Sequence, residues 1–300
     1  MPRGCPEWGP KEQYSQAMFP KLFSPMLSSP TSGHTYLSEW EGMIHAYSNS
    51  KLSFHDKDKI IAMEGIVQQF QSLWKKKYCA GHWRDDLELQ LLWDRADAAS
   101  SAGPMPQELM APSWSWLSIN GKATSRTAAI IGRTRDDTKV LASVTDVSIQ
   151  EDTSSSSSKK FRGYLDLRCF LNEIVYDSTN GTFETAISSI AKVRTYDNPR
   201  MDYSDSVHGR LFFILVCERK GTLRSSDDEV SCQLYGLIIE LLDAGSGTHV
   251  RCASTLFLTY QKRDGPETQE YAQLLQAARH CFLVWTLMSI KAISFGSSKS

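Results

Sequence analysis

The sequence predicts an α+β protein, with a small N-terminal helical segment, a mainly antiparallel β-rich domain and a C-terminal helix. Three observations carry that expectation. Apolar residues recur at helical spacing from Thr35 onward, the period changes to two beyond Pro112, and a wide apolar stripe returns after Pro266.

Residues 1–34 are rich in Pro, Ser and Gly without a sustained period and read as irregular. Leu37, Trp40, Ile44 and Tyr47 then define one helical face. A second helix follows Ser53-Phe54-His55-Asp56, where Ser or Asp accepts the orphan N–H groups of a first turn. Its expected buried stripe is Ile60, Met63, Ile66 or Val67, Phe70, Leu73 and Trp74. The run Trp74-Lys75-Lys76-Lys77 reads as a solvated helix end, where cations suit the dipole. Tyr78 to Trp93 reads as a turn into a short helix capped by Asp85 or Asp86, although Leu87, Leu89 and Leu91 also alternate as a strand would. The helical unit is thus expected over 35–95, with 96–112 as a linker or loop.

From 113 to 263 the expectation is a β-rich region, with strands at 113–119, 139–149, 161–171, 189–195, 210–217, 231–242 and 249–260. Val140, Ala142 and Val144 alternate, as do Leu165, Leu167, Cys169 and Leu171. Phe212 to Val216 and Leu237 to Ile239 are continuous apolar runs that suit central strands. Ser154–Ser158 reads as a mobile polar loop, and Asn180-Gly181 and Gly245-Ser246-Gly247 as turns. Asp264-Gly265-Pro266-Glu267 then supplies a helix start. The stripe Tyr271, Leu274, Leu275, Ala278, Cys281, Phe282, Trp285 and Met288 predicts a helix over 264–293 docked within the chain, with a partner interface as the alternative, and 294–300 as a disordered tail.

Basic and acidic side chains number 33 and 34, so global charge gives no case for nucleic acid. Seven scattered cysteines, without a C-x-x-C pair, point to a reducing compartment, and the cytoplasm is the expected location. The N-terminus lacks the apolar core of a signal peptide, so Asn180-Gly181-Thr182 is a sequon in form only. The longest late apolar stretch, Cys281 to Met288, is far short of the ~20 residues of a membrane span. No Cys/His cluster has zinc spacing, and the glycine motifs that cradle nucleotides do not occur; no metal and no cofactor are expected.

The most site-like cluster is Asp85 and Asp86 beside Arg84 and His82. An acid–base pair needs two carboxyls whose environments separate their pKa values, and helix capping with an Arg ion pair explains the same residues. There is no G-x-S-x-G elbow to present a serine. Cys79 near His82 is a local coincidence of spacing. In a strand, Trp114 and Trp116 would face the same way and fill a core, each indole N–H finding an acceptor.

Four segments together resemble the fungal heterokaryon-incompatibility (HET) domain proteins. The first is Trp40-x-x-x-Ile44-x-x-Tyr47-Ser48 with Leu52-Ser53. The second is Asp58-Lys59-Ile60-Ile61-Ala62-Met63-Glu64-Gly65-Ile66, similar to D-[RK]-L-x-A-L-x-G-[IL]. The third runs from Tyr78 through Ala80-Gly81-His82-Trp83 and Asp86-Leu87 to Leu91-Leu92-Trp93, similar to Y-x-A-G-L-W-x-x-D-L…L-L-W. The fourth, Ala111-Pro112-Ser113-Trp114-Ser115-Trp116-Leu117-Ser118, is close to A-P-S-W-S-W-A-S. The resemblance covers about residues 37–121 and singles out Trp40, Tyr47, Asp58, Gly65, Gly81, Trp83, Asp86, Trp93, Pro112, Trp114 and Trp116 as structural motif positions.

The family's N-terminal hallmark, Y-x-x-L-S-Y-x-W-G, does not occur, so the chain resembles the C-terminal end of the domain with its downstream region. His82 stands where the family has an apolar residue. The family is associated with non-self recognition and programmed cell death in fused fungal cells, and a relationship to the TIR fold has been proposed for it. The resemblance implies a non-catalytic regulatory or interaction protein, truncated, acting through protein partners. A TIR-like nucleotide-cleaving or other hydrolytic enzyme, and an inert gene fragment, are the alternatives.

Overall fold

The computed structural model describes residues 35–50, 55–96, 109–125, 127–131, 138–152, 160–177, 182–185, 210–222, 230–243, 248–254, 258–262 and 286–291. Expectations for 1–34, Ser154–Ser158, Asn180-Gly181, 189–195, Gly245–Gly247, 264–285 and 294–300 lie outside these residues.

The class is α+β, with the helices at the N-terminal side of a mainly antiparallel sheet. Helices α1 (Thr35–Ser48) and α2 (His55–Trp74) arise where the apolar period placed them. Leu37, Trp40, Met43 and Ile44 of α1 and Ile60, Met63, Ile66, Val67 and Phe70 of α2 are buried. Leu73 departs from the expected stripe: it is 49% exposed, because the helix turns its last buried contact through Phe70 and the half-buried Trp74. Helix α2 stops at Trp74, so the lysines follow its last turn. Lys75 takes φ +55° and its N–H reaches the Gln71 carbonyl at 3.0 Å, a left-handed C-terminal cap.

A two-residue hairpin comes next, strand β1 (Tyr78–Cys79) against β2 (His82–Trp83). Its central residues, Ala80 and Gly81, have φ of +41° and +99°, the positive pair that lets a tight turn match strand twist. The short helix α3 (Leu87–Gln90) follows, then β3 (Trp93–Arg95), which pairs with β4 (Ala123–Ser125). The segment 113–119 is not the expected strand. It makes a turn closed by Ser115 N–H to Pro112 O at 2.8 Å, then a 3-10 helix, Trp116–Ser118, capped by the Ser115 hydroxyl on Leu117 N–H. Ser115, which would alternate with the tryptophans along a strand, instead bonds to the local backbone, as does Ser118, and such bonds stabilise a turn. Helix α4 (Thr127–Ile131) closes the unit.

The remaining strands are β5 (Thr138–Val140), β6 (Ser143–Asp152), β7 (Lys160–Asp177), β8 (Thr182–Thr185), β9 (Arg210–Thr222), β10 (Val230–Asp243), β11 (Thr248–Ser254), β12 (Leu258–Lys262) and β13 (Thr286–Lys291). The expected 139–149 strand is broken at Leu141-Ala142, whose N–H groups both reach the Val216 carbonyl at 2.8 and 3.2 Å. Within the expected 249–260 strand lie β11 and the start of β12, both paired with β10. Strand β7 pairs with β9, β9 with β10, β10 with β11, β11 with β13 and β13 again with β7. The sheet therefore closes on itself through five strands, which leaves those strands no free edge over the paired registers. All of these pairings are antiparallel except β11 with β13. Gly236 sits at a bulge in β10, where a Cβ would stand 2.2 Å from the Ile214 carbonyl oxygen.

Strand β13 corrects the expected C-terminal helix at its end: Thr286–Lys291, including Met288, is a strand on β7. Thr286, Met288 and Ile290 stand opposite Cys169, Leu167 and Leu165 in the ladder, and that register overrides a helical reading of the local period.

One continuous apolar core joins both regions. Tyr36 through Trp116 pack with Leu165, Leu167, Ile214, Val216, Tyr235 and Leu237 of the sheet. The regions are also pinned by polar bonds: Glu88 Oε1 accepts from Val144 N–H at 2.7 Å, and Arg84 Nη2 donates to Val144 O at 3.3 Å. Among the described residues, no helix is long and apolar enough to cross a membrane.

Candidate functional site

The motif residues converge on one backbone atom. The Gly81 carbonyl accepts the indole N–H of Trp40 at 3.1 Å and that of Trp116 at 2.7 Å, so both lone pairs are occupied from opposite ends of the motif region. Three of the four motifs meet there. Gly81 is required twice over. Its φ of +99° disfavours any side chain, and a Cβ would lie 2.8 Å from Ser115 Oγ and 3.0 Å from Trp116 Nε1.

The second motif joins through Lys59, which is 4% exposed. Its ammonium donates to Ile119 O at 2.7 Å and to Trp116 O and Leu117 O at 3.4 Å. Tyr47 of the first motif donates its hydroxyl to Lys59 O at 2.7 Å. Ser48 Oγ donates to Ala123 O at 3.1 Å and accepts from Ala123 N–H at 3.0 Å, tying α1 to β4. Trp40, Trp83, Trp93, Trp114 and Trp116 are all fully buried. Trp40 and Trp83 meet edge to face with centroids 5.0 Å apart, and Trp74 meets Trp83 at 5.2 Å. Such pairs add about 1 kcal/mol each beyond area burial.

Trp93 donates to the Trp114 carbonyl at 2.9 Å. The expectation that each indole of the Ser113–Trp116 segment finds an acceptor holds for Trp116 alone. Trp114 Nε1 has none among the described residues, its ring lying instead against His82 with centroids 6.0 Å apart. Pro112 is buried at the turn, and Asp58 lies in the first turn of α2. Gly65 is exposed on α2, and a Cβ added there would meet nothing within 4 Å, so the fold makes no demand on it.

The charged cluster is brought to one rim, but with other partners than the sequence indicates. Asp85 pairs with Lys76, and Asp86 Oδ2 accepts from the Tyr36 hydroxyl at 3.0 Å. Asp86 occupies the N-cap position of α3 at φ +54°, and its side chain makes no capping bond. The left-handed backbone turns the carboxylate away from the N–H groups and toward α1. Arg84 reaches Val144 rather than either aspartate. Lys76 also lies 4.4 Å over the Tyr36 ring, so the lysine run is not purely solvated.

Cys79 and His82 face each other directly across the hairpin. Burial pushes the Cys79 thiol up, with Lys77 and Arg84 offsetting part of it. That favours the thiol, whereas nucleophilic cysteines need the thiolate. Burial likewise raises the Tyr78 hydroxyl above its ordinary range. Among the described residues, no three His, Cys, Asp or Glu side chains come together to hold a metal ion.

Sequence reasoning missed Lys59, Tyr36 and Gln90 as organisers. Gln90 accepts from Trp83 N–H at 2.9 Å and donates to Trp83 O at 2.8 Å and Asp85 O at 2.7 Å. A lone amide inside the apolar run Leu87–Trp93 was the available signal, since a polar group forced into a core must find bonds. No family model, curated protein or solved structure matches the chain.

Proposed function

We propose that the chain is a non-catalytic regulatory or interaction protein of the heterokaryon-incompatibility type, acting in non-self recognition and programmed cell death through protein partners. The observation that carries this reading is the order of four motifs over residues 37–121, whose aromatic and glycine positions share one bonded core. A segment whose identity is constrained by mutual bonding keeps those residue types together, which is why the resemblance lies in tryptophans and a glycine. The residues most suggestive of chemistry favour the same reading. Asp85 pairs with Lys76, Asp86 accepts from the Tyr36 hydroxyl, and Arg84 donates to the Val144 carbonyl.

The test is induced expression of the chain, and of its Gly81→Ala variant, in a filamentous fungus. Hyphal death is scored and cellular NAD is measured alongside. Growth arrest at constant NAD, lost in the variant, is the expected result. NAD loss that precedes arrest would move the protein to the TIR-like enzyme alternative, and no effect on growth would favour an inert fragment.

A further inference from the structure

The 3-10 helix Trp116–Ser118 ends inside the protein, where its last carbonyls have no helical partner and present the negative end of the local dipoles. Three carbonyl oxygens, of Trp116, Leu117 and Ile119, are turned to one point, with the Trp116 ring face 5.2 Å from the same point. We propose that this bowl is a binding site for a primary alkylammonium ion, filled in this chain by its own Lys59.

The fit is geometric. A primary ammonium carries three N–H donors in a tripod, and the bowl offers three acceptors. A guanidinium spreads its donors in a plane and does not match that arrangement. The surroundings explain why a cation is held here at all. An ammonium removed from water costs several kcal/mol unless its donors are satisfied, and here carbonyl dipoles and an indole face are among the groups that take the place of its hydration. Tyr47 fixes the α2 end of the arrangement by donating to the Lys59 carbonyl. The cation thereby fastens the turn that carries Trp114 and Trp116 to α2.

The Lys59→Ala variant of the full chain tests it, because the atoms removed beyond Cβ correspond to n-propylammonium. Thermal unfolding is compared in n-propylammonium chloride and in tetramethylammonium chloride, which has the same charge and no N–H donor. The variant is expected to lose about 5–10 °C in Tm. n-Propylammonium should restore a saturable part of that loss in the variant alone, with the wild type unmoved. Lys59→Met, which fills most of the side-chain volume without a cation, should stay as unstable as Lys59→Ala. Equal effects of the two salts, or a Lys59→Met variant as stable as the wild type, would overturn the proposal. Should Lys59→Ala not fold in ordinary buffer, the same two salts are compared in refolding. Recovery confined to n-propylammonium supports the site, and recovery in neither or in both rejects it.

Discussion

The two regions of this molecule are held together by different means. In the Trp-rich unit, residues 35–131, side chains reach to particular backbone atoms, those of Trp40, Trp116 and Lys59 across long stretches of sequence. Trp40 and Trp116 reach Gly81, Lys59 reaches Ile119, and Gln90 brackets Trp83. In the sheet, backbone pairs with backbone, as along β9 and β10, and apolar residues such as Ile214, Val216, Leu237 and Ile239 supply area. A ladder accepts any side chain of the right character. An indole N–H aimed at one carbonyl accepts no other residue. Identity is therefore constrained in the first region and pattern in the second.

The sharpest way to break that contrast is Gly81→Ala. It adds a methyl against Ser115 and Trp116 and forces a positive φ on alanine. About 3 kcal/mol of destabilisation is expected from strain and overpacking together, read as a lower urea midpoint. Next comes a matched pair of conservative changes. Trp116→Phe should cost about 2 kcal/mol through the lost bond and the smaller ring, against about 1 kcal/mol for Ile238→Val in the sheet. Equal costs by urea titration would erase the distinction.

Alkaline pH should act on the sheet. Burial pushes the Cys169 and Cys217 thiols up to about 12 from 9.0. Both are raised in the folded state, so the unfolded chain releases their protons first. Their contribution is complete below pH 9 and is lost as pH rises toward 12. Stability from urea titration should fall by roughly 1 kcal/mol per pH unit for each thiol across that window. A Cys169→Ala, Cys217→Ala variant should show a flatter profile, and an unchanged slope would mean the thiols are not the cause. The smallest effect has the opposite sign. Gly65→Ala on exposed α2 should stabilise by about 0.5–1 kcal/mol, since no contact or φ there needs glycine.

Helices α1 and α2 were legible because their apolar faces repeat with a helical period, and β7, β9 and β10 because alternation or apolar runs marked them. The turn at Ser113–Trp116 was not. Its tryptophans alternate as a strand's do, while the serines' backbone bonds, which decide the matter, leave no periodic trace. The strand at Thr286–Lys291 was hidden for a related reason, since its pairing with β7 is set by residues more than a hundred positions away. At the rim, Asp85 and Asp86 were visible as a cluster. Their partners were not, because Lys76 and Tyr36 arrive from other elements and Asp86 adopts a left-handed backbone that composition does not announce.

The central claim is that Trp40 and Trp116 act as a pair through the Gly81 carbonyl. A double-mutant cycle on Trp40→Phe and Trp116→Phe, followed by urea unfolding, measures it directly. Either single change leaves the carbonyl one indole donor, whereas the double change leaves a buried acceptor without either. The double variant should therefore lose more than the sum of the singles, by at least about 0.5 kcal/mol. Additive losses would contradict the account and reduce both tryptophans to independent apolar fill.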